Sequence, residues 1–166
     1  MTGTEGCQGR GRGAILGRAV KLHVNDRVGY QGSDYRVDDL LAYALADRVL
    51  RMARLVAGGE IRFLEPATDG SADRALVLAE IEKLDITPPP PATIYHHGES
   101  YLLKLSGAAT VTAAGGAART CMLWRYRAAG DQFLQIEQWP EQVRMFAGAS
   151  VHVDMLEIRP ATLKDS

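Results

Sequence analysis

The sequence predicts an all-β or nearly all-β fold of about ten strands, arranged as two pseudo-symmetric halves that form a barrel or a sandwich. Three observations carry this expectation: a proline run near the middle of the chain, a weak internal repeat on either side of it, and hairpin chemistry in the second copy. The run Pro88–Pro91 favours extended polyproline II and cannot occupy a helix interior or a central strand, so it divides the folded part. Before it lies VGYQGSDYRV (Val28–Val37) and after it IYHHGESYLL (Ile94–Leu103), each with a tyrosine three residues after a glycine. That spacing suits a tight turn entering a strand. Further along, RMARLVAGGEIRFLE (Arg51–Glu65) matches LWRYRAAGDQFLQIE (Leu123–Glu137) in pattern: an Arg-bearing apolar run, a glycine turn followed by an acid, and a second apolar run ending in glutamate.

The second of these, extended to MLWRYRAAGDQFLQIEQW, has aromatic and alternating residues around Ala-Gly-Asp, which favours a hairpin. Residues 39–57 of the first copy are compatible with two readings. Asp38 and Asp39 as N-caps, the helix-forming Leu, Ala, Arg and Met residues, and Gly58 as a C-cap suit one amphipathic helix. Against this, Tyr35, Val37, Leu41, Tyr43 and Leu45 share odd positions, as one face of a strand would, with Asp39 the exception. The repeat favours strands, with Ala46-Asp47-Arg48 as the turn. ALVLAEIEKLDI (Ala75–Ile86) reads as a further extended strand. One β-rich domain is expected over 19–166, in halves of about 22–87 and 92–160 joined by the proline connector. The Gly-rich segment 1–18, with Arg10, Arg12 and Arg18, is expected to be a disordered tail.

Composition bounds the function. At 166 residues the chain is long enough for a core of its own, and a formal charge of −1 supplies no global field for nucleic acid or an anionic membrane. Cys7 and Cys121 lack CxxC spacing, which points to a reducing, cytoplasmic setting. No run resembles a signal peptide h-region or an 18-residue apolar span, so a membrane-spanning helix is not expected.

With these elements in place, VNDRVGYQGSDYRVDDLLAYALADRVLRMARLVAGGEIRFLEP and the later segments from HHGESYLLKLSGAATVTAAGG to QWPEQVRMFAGASVHVDMLEIRPA resemble the bacterial domain-of-unknown-function family numbered 4178, over about Leu22 to Pro160. The motifs that carry the resemblance are spread aromatic, glycine and acidic positions. Phe63 stands where that family often has tryptophan, and Leu50 where another aromatic is common. The resemblance implies a β-rich domain without assigned activity and an accessory role, in gene neighbourhoods of small membrane proteins, polyamine aminopropyltransferase-like proteins and membrane-stress proteins.

Three functional classes follow. The first is a non-catalytic module, not an enzyme and without a cofactor, that binds a protein or a ligand and that forms a homodimer if strand edges are exposed. The second is a small-molecule-binding barrel, with a polyamine as one ligand suggested by the gene neighbourhoods. The third is a small metalloprotein or enzyme built on His96, His97 and Glu99, residue types that ligate zinc or iron. Adjacent histidines reach one metal only from a turn, since strand neighbours point to opposite faces. The ligand-binding candidates are Tyr35, Tyr101, Trp124, Arg125, Arg127 and Glu137. The tyrosines and Trp124, with Phe133, Trp139 and Phe146, are expected at the core or its edge, or lining a cavity if the halves enclose one. Arg125 and Arg127 share a strand face and Arg51, Arg54 and Arg62 supply a comparable basic strip, each expected on a solvated sheet face or facing a phosphate or acidic partner. Glu65 and Glu137 take similar positions in the repeat and are expected to pair with arginines. Ser150 and His152 share a strand face, but no GxSxG turn accompanies them.

Overall fold

A computed structural model describes residues 21–161. The expected tail, with Cys7, Arg10, Arg12 and Arg18, lies outside the described residues. Eleven strands are described: β1 (Arg27–Tyr30), β2 (Ser33–Ala44), β3 (Val49–Ala57), β4 (Glu60–Pro66), β5 (Arg74–Ile81), β6 (Thr93–His96), β7 (Glu99–Ala113), β8 (Arg119–Ala128), β9 (Gln132–Gln138), β10 (Val143–His152) and β11 (Glu157–Arg159). No α-helix is present among the described residues; three short 3₁₀ turns follow β4, β8 and β10. Residues 39–57 are a hairpin, closed by the Leu45 N–H donating to the Arg48 carbonyl at 2.8 Å. Helix propensity there is overridden by sheet pairing on both sides.

Eight strands close into an antiparallel barrel in the order β2-β3-β4-β5-β10-β9-β8-β7, with β7 returning to β2 through the pairs Leu41–Ala113 to Ala44–Thr110. Outside it, β1 and β11 extend the sheet from β2, and β6 extends it from β7. The two glycine–tyrosine motifs occupy the same kind of turn. Gln31-Gly32 joins β1 to β2 and His97-Gly98 joins β6 to β7, and all four residues have positive φ. Two consecutive positive φ values make the hairpin turn whose twist matches that of the strands, and glycine supplies one of them without strain.

One reading of the strand faces is corrected. The odd-numbered set from Tyr35 to Leu45 does not line a single face, because register shifts between Val37 and Asp39. The extra residue, Asp38, is a bulge that turns the following side chains to the opposite face. Tyr35 and Val37 therefore pack outside the barrel with Val28, Leu55, Leu64 and Val77, whereas Leu41, Tyr43 and Leu45 point inward with Met52, Phe63 and Leu78. β7 does the same at Lys104, with Tyr101 and Leu103 outside and Leu105 and Val111 inside.

The bulges give the molecule three apolar cores: the barrel interior and a cluster on each side of it. β1 and β11 cover β3–β5 on one side. On the other, β6 and the segment after β5, with Leu84 and Ile86, cover β8–β10. The proline connector is packed against this second side, for Pro90 is buried and the Tyr126 hydroxyl donates to the Pro91 carbonyl at 2.7 Å. β9 is thus buried on both faces, with Phe133, Gln135 and Glu137 inward and Leu134 and Ile136 outward.

Candidate functional site

The barrel interior contains a line of buried polar side chains. Arg125, on β8, is 5 % exposed and grips the carboxylate of Glu65, at the end of β4, with Nη1–Oε2 at 3.0 Å and Nη2–Oε1 at 2.7 Å. Its Nε and Nη2 also donate to Gln135 Oε1, at 3.0 and 2.7 Å. Gln135 passes the chain on by donating to Glu137 Oε2 at 2.7 Å, and Glu137, 1 % exposed, further accepts from the Tyr43 hydroxyl at 2.9 Å and the Trp139 indole at 3.0 Å. A two-point guanidinium–carboxylate pair with its remaining valences satisfied is the form in which buried charge is tolerated. Three neutral donors satisfy Glu137 in the same way.

The surroundings of Glu137 perturb its neighbours. Burial, and then the Glu137 charge and hydrogen bond, raise the Tyr43 phenol well above its ordinary value of 10.0. Burial and the same charge push the Cys121 thiol from 9.0 up to about 12. Both groups stay neutral in the fold while the unfolded chain ionises. Above pH 9 the unfolded state therefore holds fewer protons than the folded one, and stability falls with rising pH by at most about 1.4 kcal/mol per pH unit for each group. Denaturant titrations between pH 8 and 10.5 should show this loss, and a Tyr43→Phe, Cys121→Ala variant should show a visibly shallower one; an unchanged slope would contradict the assignment.

The two ends of the barrel differ. Where β4 and β9 end in opposite directions, the inward faces on the β9 side carry the pairs Arg54–Asp38 at 2.5 Å and Arg144–Glu80 at 2.8 Å, together with Trp139. At the other end lies a cavity of about 1230 Å³. It opens between the β2–β3 turn at Arg48 and the β4–β5 loop at Ala67 and Gly70, and it reaches inward to Glu65, Arg125 and Phe133. Its wall includes the inward-facing Leu41, Leu50, Met52 and Leu105 and, from the outer cluster, Leu22, Leu40 and Ala53, while Lys21, Arg51, Lys104 and Arg127 stand around the same space. The opening exists because β3 and β4 pair only from Ala53–Leu64 onward, which leaves the first four residues of β3 without a partner on that side.

The six ligand-binding candidates do not form one site. Arg125 and Glu137 are joined through Gln135 inside the barrel, and Arg127 lines the cavity and pairs with Asp131. Tyr35 lies in the outer cluster beside β1, its hydroxyl donating to Glu60 at 3.3 Å, and Tyr101 and Trp124 lie in the opposite outer cluster. Arg125 is not on a solvated sheet face: its strand faces the barrel interior, where Glu65 neutralises it. The expectation that Glu65 pairs with an arginine is met, whereas Glu137 is held by neutral donors. Arg51, Arg54 and Arg62 do not form the comparable second strip. Arg51 stands at the cavity, Arg54 pairs with Asp38 at the opposite end, and Arg62 reaches Glu60 at 3.9 Å.

His96 and His97 sit at the β6–β7 turn with ring centroids 4.0 Å apart. Partial burial and the neighbouring His97 lower the His96 pKa. Glu99 does not complete them, as no group of three or more His, Cys, Asp or Glu residues suited to a metal occurs among the described residues. Ser150 Oγ accepts from Arg74 Nε at 3.1 Å and His152 Nδ1 accepts from the Asp154 N–H at 3.1 Å, so each of the two is engaged elsewhere. Sequence reasoning missed Gln135, Met52 and Lys104 as site residues. Gln135 had a signal, a lone amide midway between the inward-facing Phe133 and Glu137 of an otherwise apolar strand.

A family model described as Domain of unknown function (DUF4178) matches residues 23–153. Neither the curated proteins nor the solved structures contain a match to the chain. Among the described residues no helix is long and apolar enough to cross a membrane.

Proposed function

The chain belongs to the DUF4178 family, whose description leaves the activity open, and on that premise we propose that its barrel is a non-catalytic module that binds a small organic molecule in the cavity at its open end. The observation that carries this reading is the cavity itself. About 1230 Å³ of space, large for a small-molecule pocket, combines an apolar wall with charged groups, Glu65 and Arg125 at depth, and that combination of apolar surface and convergent polar groups is what a ligand site needs. The buried pair fixes the shape of the inner wall, because neither partner can swing away without leaving the other uncompensated. The expectation of an accessory module in a reducing, cytoplasmic bacterial setting belongs to the same proposal. A polyamine is a poor fit, as the cavity lining carries six Lys and Arg residues and Glu65 as its carboxylate.

A chemically mixed panel of anionic, neutral and cationic small molecules, read by thermal shift, tests the proposal. A ligand present at a hundred times its Kd should raise the Tm by about 5–10 °C. A Leu50→Trp, Leu105→Trp variant, which fills the inner wall, should fold and lose that shift. A shift that survives both tryptophans would place the ligand elsewhere and overturn the reading.

A further inference from the structure

Resting on the reading of the cavity as a ligand chamber, we infer that its ligand is an amphipathic anion, with an apolar body inside the barrel and a carboxylate or phosphate at the mouth beside Arg51 and Lys104. The inner wall supplies the first half of the argument. Leu41, Leu50, Met52, Leu105 and Phe133 come from β2, β3, β7 and β9 and present apolar surface to the same space. Polar atoms at depth belong to Arg125 and Glu65, which satisfy each other.

The charges supply the second half. Of the cations that line the cavity, Arg125 is neutralised by Glu65, Arg48 lies against Asp47 at 3.3 Å, and Arg127 has Asp131. Lys21, Arg51 and Lys104 are exposed and, among the described residues, have no carboxylate within ion-pair distance. The mouth is therefore the part of the cavity with positive charge left over. An anion carried to the deep end would instead have to compete with Glu65 for Arg125 in a water-poor interior, where an extra unpaired charge is costly. Head at the mouth and body inward is the orientation in which the apolar wall and the exposed cations Arg51 and Lys104 are used, with Lys21 adding positive charge to the same lining.

The same chemistry is available from a free long-chain carboxylate or from a membrane lipid. Fluorescence titration of the full chain with cis-parinarate tests the first source, with its methyl ester and spermidine as uncharged and cationic comparisons. The carboxylate should bind saturably, the ester about tenfold more weakly or worse, and spermidine should not displace either. The Arg51→Ala, Lys104→Ala variant should keep the wild-type Tm, weaken parinarate by roughly three- to tenfold and leave the ester unchanged. Raised salt should have the same effect, because these cations are exposed. Vesicles of phosphatidylcholine with pyrene-labelled phosphatidylglycerol supply the second source, and transfer of the label to the protein would assign a membrane lipid. An ester that binds as tightly as the acid, or spermidine that displaces it, would overturn the inference. If the Leu50→Trp, Leu105→Trp variant still abolishes ester binding, the chamber stands and the anion does not; if both tryptophans leave every probe bound, the chamber reading itself falls.

Discussion

Replacing Arg125 with methionine is expected to destabilise the folded chain by about 3–5 kcal/mol, the cost of leaving a buried carboxylate without its partner. Glu65, 5 % exposed, would keep its position at the end of β4 but lose both guanidinium contacts, and Gln135 Oε1 would lose two donors. Methionine approximates the volume of the arginine stem, so the loss reads electrostatics and hydrogen bonding more than cavity formation. Adding Glu65→Leu should recover at least half of the loss, since an apolar pair needs no compensation in the interior. Urea denaturation of the two variants decides the matter. A single variant within about 1 kcal/mol of wild type would mean that water reaches Glu65 freely and that the pair does not shape the inner wall.

Gly148→Ala should cost on the order of 3 kcal/mol, for a reason unrelated to charge. Gly148 lies in β10 between Leu78 of β5 and Phe133 of β9. A Cβ there would fall 1.8 Å from the Val77 carbonyl oxygen, 2.8 Å from its carbon and 2.9 Å from Leu78 Cα. Those are backbone atoms of a strand held on both sides, so the clash is relieved only by parting β5 from β10, which join the two halves of the barrel. Gly59 provides the comparison: a Cβ there meets nothing within 4 Å and its φ is not positive. Gly59→Ala should therefore stay within about 1 kcal/mol of wild type. Equal effects at the two glycines in chemical denaturation would contradict the close approach.

The sequence carried the hairpins better than it carried depth. Gly32, Gly58, Gly98 and Gly130 all punctuate turns, and all four have positive φ, so local chemistry was enough to place the strand ends. Residues 39–57 were ambiguous because Leu, Ala, Arg and Met favour helix locally, and only pairing with β7 and β4 settles the strand. Alternation assigned side chains to faces but could not reveal the bulges at Asp38 and Lys104, where one extra residue moves a continuous odd-numbered series from an outer cluster to the interior. Nor could it tell a solvated face from the inside of a closed sheet. Arg125 and Arg127 share that face in the sequence pattern, yet one is buried against Glu65 and the other lines the cavity and pairs with Asp131, a difference set by how far along the barrel each lies. The paired positions of Glu65 and Glu137 were legible; their connection through Gln135 required the closure of β4, β8 and β9 around one space.

The central claim, that the open end of the barrel is a ligand chamber, is tested most directly by titrating the native protein with 1-anilinonaphthalene-8-sulfonate, a compact apolar body bearing one anion. Saturable one-to-one binding to the wild-type chain, lost in a folded Leu50→Trp, Leu105→Trp variant, is the result the cavity predicts. Absence of binding to the native protein, or binding that both tryptophans leave undiminished, would contradict it.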